Sequence, residues 1–104
     1  MSTFNKIYSI VCCIPSGKLA TYGQIASIYN LQNQNSISPQ LVGFALHANK
    51  DKSTPCHRVV NKSGNLAKNF AFNGYLVQKQ LLQAENVTFI NHLQADLTKH
   101  QWQP

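Results

Sequence analysis

Acidic side chains are nearly absent from this chain. Only Asp51, Glu85 and Asp96 stand against nine lysines and arginines in 104 residues, for a formal charge of +6. Arginine is scarcer still, since Arg58 is the sole one. Charged residues make up 12%, about half the usual share, and Asn and Gln fill the polar positions instead. Cysteine occurs three times, at Cys12, Cys13 and Cys56. An odd count with two adjacent does not make a disulfide framework, and a reducing, cytoplasmic compartment is expected. No Cys/His set has zinc spacing, so no metal is expected. No apolar run nears the ~20 residues that span a bilayer. The stretch from Ile7 to Ile14 is interrupted by Ser9, closed by Pro15, and lacks a signal-peptide cleavage pattern. The length excludes a second domain or a barrel enzyme, and no internal repeat is visible.

What is present suffices for one core, with 43% hydrophobic residues. The positive excess suits a polyanionic partner, with nucleic acid foremost, through phosphate neutralisation. Charge alone does not separate such a binder from a soluble protein of basic pI.

Apolar residues at Phe4, Ile7, Tyr8, Val11 and Ile14 have helical spacing, with Cys12 and Cys13 as core or half-buried thiols. Thr21-Tyr22-Gly23-Gln24 reads as a capping box that opens a helix ending near Leu31. Ser38-Pro39 supplies a second N-cap and first-turn proline, and that helix should stop before Asn49. Two short helices across a polar loop suggest a helix-turn-helix unit. Its second helix offers few base-reading side chains near its start, Gln40 and His47, which favours backbone or minor-groove binding over major-groove reading. Val59-Val60, the turn Asn61–Asn65 and Leu66-Ala67 read as a small hairpin wing carrying Lys62 and Lys68, followed by a loop over 68–74. Tyr75 to Glu85 should be helical with Val77, Leu81 and Leu82 inward. Val87–Ile90 should be extended, a short helix should span about 92–99, and Trp102 should pack the tail down. The expected fold is α+β, mostly helical, a winged helix-turn-helix-like single domain over residues 1–104.

Cys56-His57 is the sharpest local feature. A thiolate is a strong nucleophile, and a neighbouring base can activate it. Adjacent residues of a strand point to opposite faces, so their cooperation needs a turn or a bridging water. His57 would also need an orienting acid, of which the chain has only three.

Pro55-Cys56-His57-Arg58-Val59-Val60 resembles the active-site signature of the O(6)-alkylguanine-DNA alkyltransferases. Ile14-Pro15-Ser16-Gly17-Lys18, Thr21-Tyr22-Gly23-Gln24-Ile25-Ala26, Val42-Gly43-Phe44-Ala45-Leu46 with Asn49, and Leu81-Leu82-Gln83-Ala84-Glu85 are similar to further motifs of that family, in the same order, over residues 4 to 86. The resemblance implies a DNA repair protein that binds alkylated guanine from the minor groove. It would flip the base and transfer the alkyl group irreversibly to its own Cys56, as a single-turnover methyltransferase without a cofactor. His57 would be the base through a water, Glu85 would orient it, and Asn49 would brace the turns. Tyr22 would press on the 3′ phosphate, and Leu46 and Val59 would line the base pocket. Gln40, Arg58 and Lys62 complete the DNA-facing set, Arg58 also fixing the motif. The partner would be double-stranded DNA, with nucleotide excision repair proteins further along. The protein would be a monomer without membrane contact, nucleoid-associated if bacterial.

This chain departs from the family at two places. Gln40 stands where the family has an arginine that fills the gap left by the flipped base, and Lys68–Gly74 replaces a Gly-rich substrate loop. The small size and the Trp102-Gln103-Pro104 ending are similar to the alkyltransferase-like proteins instead. Those bind alkylguanine, carry another residue in place of the nucleophile, and flag damage without transfer. That is the alternative reading, and a generic winged-helix module with an inert Cys56 is a third.

Overall fold

The computed structural model describes residues 2–67 and 74–104. Four helices of nine to eleven residues carry the architecture: α1 (Thr3–Val11), α2 (Tyr22–Gln32), α3 (Pro39–Ala48) and α4 (Tyr75–Ala84). Short strands β1 (Ala20–Thr21), β2 (Val59–Val60), β3 (Phe89–Asn91) and β4 (Gln94–Ala95), with a terminal turn of helix α5 (Leu97–His100), complete a mostly helical α+β domain. No helix among the described residues is long and apolar enough to cross a membrane.

Both capping expectations are met. Thr21 Oγ1 accepts from the Gln24 amide at 3.0 Å, and Ser38 Oγ from the Leu41 amide at 3.2 Å with Pro39 behind it. The capping box is not reciprocal: Gln24 Nε2 donates instead to the Trp102 carbonyl at 2.8 Å. The loop between α2 and α3 is clamped by Asn30, whose side chain exchanges two hydrogen bonds with the Ile37 backbone. Helix α1 is shorter than its apolar spacing predicts. It ends at Val11, so Cys12 and Cys13 are exposed rather than packed.

One core lies between α1, α2 and α3, with Ile7, Val11, Ile25, Tyr29, Val42 and Ala45 at its centre and Cys56 and Val59 at its edge. A second gathers Leu19, Val60, Leu66, Leu82, Val87 and Ala95. The β1–β2 pair separates them. It is parallel, with Ala20 opposite Val59 and Thr21 opposite Val60. The expected wing is thus only half a hairpin. The turn forms, with the Gly64 amide bonded to the Asn61 carbonyl at 2.9 Å. The chain then leaves β2 and pairs Asn65 with Gln94, and the Gln78 side chain rather than a second strand bridges the Val59 carbonyl and the Ala67 amide. The rest of the wing and its loop, Lys68 included, fall largely outside the described residues. The tail is sealed as expected: the Trp102 amide donates to the Leu19 carbonyl at 2.7 Å.

Helix α4 is rotated from the expected stripe. Leu82 is buried, but Leu81 is exposed and Gln78 takes a fully buried place. Gln78 Nε2 donates to the carbonyls of His57 and Val59, each at 3.1 Å, while its Oε1 accepts from the Ala67 amide at 2.9 Å. One amide thereby docks the helix onto the Cys56 segment. Between α4 and the tail, a β3–β4 hairpin and one turn of helix replace the helix expected over 92–99. Replacing Gln78 by Leu keeps the volume and strands three backbone groups, so it should cost roughly 2–4 kcal/mol in urea unfolding. A loss under about 0.5 kcal/mol would show that these bonds do not hold the segment.

Candidate nucleic-acid interface

The sequence Thr54-Pro55-Cys56 turns sharply. Pro55 has φ −79° and ψ 62°, and the Cys56 amide bonds to the Thr54 carbonyl at 2.8 Å, the geometry of an inverse γ-turn. A single 3₁₀ turn over Cys56–Arg58 follows and enters β2. The turn sends Cys56 inward, between α1 and α3, and His57 outward toward the end of α4.

His57 and Arg58 converge on Glu85, the residue that caps the C-terminus of α4. His57 Nε2 donates to Glu85 Oε2 at 2.7 Å. Arg58 Nη2 reaches the same oxygen at 2.8 Å, and its Nε lies 3.0 Å from Oε1. The Gly17 amide donates to Oε1 at 3.1 Å, and Arg58 Nη1 donates to the Ile14 carbonyl at 2.7 Å. Gly17 is required there: its φ is +84°, and a Cβ would approach the Glu85 carbonyl to 3.3 Å. Burial pushes the Glu85 carboxyl up, but Arg58, His57 and the Gly17 amide together outweigh it and hold the group down at about 2. Glu85 is therefore the hub of the motif. Arg58 commits its guanidinium inside the protein and leaves the DNA-facing set.

Cys56 has different company. Its side chain is 3% exposed and packs with Leu46 and Val59. Asn49 caps α3, its Nδ2 donating to the Asp51 carbonyl at 2.7 Å and to Cys56 Sγ at 3.4 Å. Burial pushes the Cys56 thiol up to about 11, and the Asn49 bond offsets only part of this. At neutral pH only on the order of one thiol in 10⁴ is then ionised. Among the described residues His57 is not a hydrogen-bond partner of Cys56.

Tyr22 opens α2 and packs against the same core. Its hydroxyl pKa is raised by burial and then by the neighbouring Cys56. Gln40 lies exposed on α3, and with Tyr22, Pro39, Gly43 and Phe44 it lines a groove of about 370 Å³. Lys62 sits apart, exposed on the Asn61–Gly64 turn. Sequence reasoning missed Gln78 and Gly17. It also missed Tyr8, whose hydroxyl donates to the Ala45 carbonyl at 2.6 Å and couples α1 to α3. A glycine between a proline turn and a lysine was the one visible signal; the other two look like ordinary helix residues.

This arrangement is that of a helix-turn-helix domain with a cysteine motif set behind it. Residues 2–87 match the family described as 6-O-methylguanine DNA methyltransferase, DNA binding domain, and the chain belongs to it. Alkyltransferase-like protein 1 of Schizosaccharomyces pombe is 32% identical over 106 residues, covering 97% of this chain and 94% of that protein. The crystal structure of S. pombe Atl1 in complex with damaged DNA containing O6-carboxymethylguanine superposes with a TM-score of 0.80 at 31% identity, over 97% of this chain and 94% of that one. The DNA base-flipping protein of Escherichia coli is 30% identical, over 93% of this chain and 71% of its own length. The O6-methylguanine methyltransferase of Mycobacterium tuberculosis is matched less fully: 27% identity and a TM-score of 0.68 over 82% of this chain and 48% of that one.

These matches correct the expectation of a single-turnover methyltransferase. Alkyltransferase-like protein 1 aligns nearly from end to end and the base-flipping protein over 71% of its length, whereas the methyltransferase is covered over about half. The burial of Cys56, which pushes its thiol up, goes the same way.

Two measurements probe the site. Glu85 sits at about 2 against an ordinary 4.5, so the native state binds that proton less readily than the unfolded one. Its contribution, roughly 3 kcal/mol, is complete above pH ~4.5 and drains away as pH falls toward 2. Glu85→Gln should lose a similar amount at pH 7 and flatten the acid limb of urea stability; an unchanged limb places the linkage elsewhere. In the second, limiting iodoacetamide at pH 7.5 followed by peptide mapping should label Cys12 and Cys13 and spare Cys56. Preferential labelling of Cys56 would show an accessible thiolate.

Proposed function

We propose that the whole chain acts as one domain that senses alkylated guanine in duplex DNA without repairing it. It enters the minor groove with α3, extrudes an O(6)-alkylguanine, and keeps the base beside Tyr22, Leu46 and Val59. Tyr22 presses on the phosphate next to the lesion, and Lys62 adds sequence-independent backbone affinity. Asn49 holds the turn that shapes the pocket. The alkyl carbon stays on the base, and the resulting complex marks the site for excision repair proteins.

The observation that carries this reading is the match to alkyltransferase-like protein 1 over 97% of this chain and 94% of that protein, and the burial of Cys56 accompanies it. An alkyl acceptor must be a thiolate. This thiol is buried, raised to about 11, and bonded to Asn49. His57 is held through Nε2 by Glu85, the pairing the resemblance implies, so the histidine does not decide between the two readings. The 30% identity to the base-flipping protein, over 93% of this chain, supports the same reading.

The test joins fluorescence anisotropy with intact-protein mass spectrometry on duplexes with and without one O(6)-methylguanine. The lesion duplex should bind at least about tenfold tighter, a difference of ~1.4 kcal/mol. The protein mass should stay unchanged after prolonged incubation, and Cys56→Ala should retain the preference. Equal affinity for both duplexes would reduce the protein to a general DNA binder. A methyl adduct on Cys56 would overturn the sensing role.

A further inference from the structure

The outer face of α3 carries an exposed phenyl ring. The helix buries Val42, Ala45 and Leu46, and turns Gln40 and Phe44 to the outside. Phe44 is 59% exposed, less than Leu31 and Ile90, and what sets it apart is the groove it shares rather than its exposure. Its neighbours are not random. Phe44 and Gln40 are spaced i, i+4 and share one groove with Tyr22, Pro39 and Gly43. Tyr22 in turn packs against the cluster that holds Cys56, Leu46 and Val59. A Cβ on Gly43 would lie 3.9 Å from the Tyr22 ring, so the glycine is not forced by crowding there. Its missing side chain leaves the tyrosine edge open toward Phe44. The phenyl ring is thus one side chain removed from the candidate base pocket, on the helix that the reading above places in the minor groove.

A base taken out of the stack leaves a hole, and the duplex recloses unless something fills it. Apolar side chains do this in minor-groove binders by entering a base step and unstacking it. Stacking of a base on an aromatic ring is favourable and indifferent to sequence. Gln40 is short and uncharged, suited to hydrogen bonding but poor as a wedge. Phe44 lies one helical turn further on, ~6 Å along the axis, less than two base-pair rises of 3.4 Å.

We propose that Phe44 is the wedge of this protein, its ring entering the base stack beside the extruded guanine while Gln40 hydrogen-bonds the base left without a partner. The assignment rests on the lesion-sensing reading and commits the exposed ring to duplex DNA rather than to another protein or a second copy of the chain. The positive net charge of +6 and the shared lining with Tyr22 favour that occupant.

The experiment uses the full chain as wild type, Phe44→Ala, Phe44→Trp and Gln40→Ala. Each is titrated against an O(6)-methylguanine duplex, the unmodified duplex, and a duplex whose lesion sits in a short mismatched bubble where the stack is already open. Phe44→Ala should bind the lesion duplex at least tenfold more weakly and the bubble less than threefold more weakly. Phe44→Trp should restore duplex binding. Gln40→Ala should lose less than Phe44→Ala on the duplex. Thermal unfolding of Phe44→Ala should match the wild type, since the ring is exposed. If wild type prefers the lesion and Phe44→Ala binds it equally well, or loses the same factor on duplex and bubble, the wedge is overturned while lesion sensing stands. A wild type blind to the lesion overturns both. A concentration-dependent dimer in light scattering that Phe44→Ala abolishes would assign the ring to a second copy instead.

Discussion

The carboxylate of Glu85 is the constraint on which the rest of this structure depends. It accepts from His57, from Arg58 and from the Gly17 amide, joining residues up to 68 positions apart. Arg58 extends the hub to the exit of α1 through the Ile14 carbonyl. A part-buried ion pair repays its desolvation only when the remaining donors and acceptors are also met. Here they are: both carboxylate oxygens are shared, and no buried side-chain polar atom among the described residues lacks a partner. The scarcity of acids makes the hub unambiguous. With three carboxylates in the chain, Arg58 has little else to pair with.

The same hub decides the chemistry of its neighbours. A Cys-His dipeptide followed by an Arg is a nucleophile motif only if a proton can pass between the two side chains, directly or through a water. The inverse γ-turn at Pro55 points them to different places: Cys56 into an apolar core beside Leu46 and Val59, His57 to a carboxylate of about 2. Burial then dominates the thiol and holds it protonated. A residue type in a motif states what chemistry is available; its surroundings state what is used. That distinction separates the transferase expectation, drawn from motif order, from the sensing role. The near end-to-end match to alkyltransferase-like protein 1 falls on the side of the surroundings.

Much of this was legible in the residues because it is local. Thr21 and Ser38-Pro39 cap their helices as their types dictate, and the helix before Asn49 stops where expected. The pairing of Glu85 with His57 came from a family resemblance and a shortage of other acids, not from spacing. What could not be read is what depends on distant partners. Helical periodicity places Val77, Leu81 and Leu82 on one stripe, but three backbone groups of the Cys56 segment and Ala67 needed an amide, and Gln78 rotated the stripe to supply it. The turn after β2 has the right residues for a hairpin, but the Gln78 amide takes the Val59 carbonyl and the Ala67 amide that would have paired. Cys12 and Cys13 continue an apolar pattern past the point where Pro15 lets the helix run, and so end outside.

Charge and selectivity are carried by different parts of the molecule. Among the described residues Lys18, Lys50, Lys52, Lys62 and Lys99 are exposed, while Arg58, the only arginine of the sequence, is bound to Glu85. Surface lysines neutralise phosphates of any sequence, and their contribution falls steeply with salt. They attract normal and damaged DNA alike. Discrimination has to come from groups that meet the base itself, and the residues proposed for that role are uncharged: Tyr22, Leu46 and Val59 for the base, Gln40 and Phe44 on the helix face. A charged finger at position 40 would couple selectivity to ionic strength. The proposed aromatic wedge with a neutral amide beside it would separate the two, so that lesion preference would depend on stacking and shape rather than on salt.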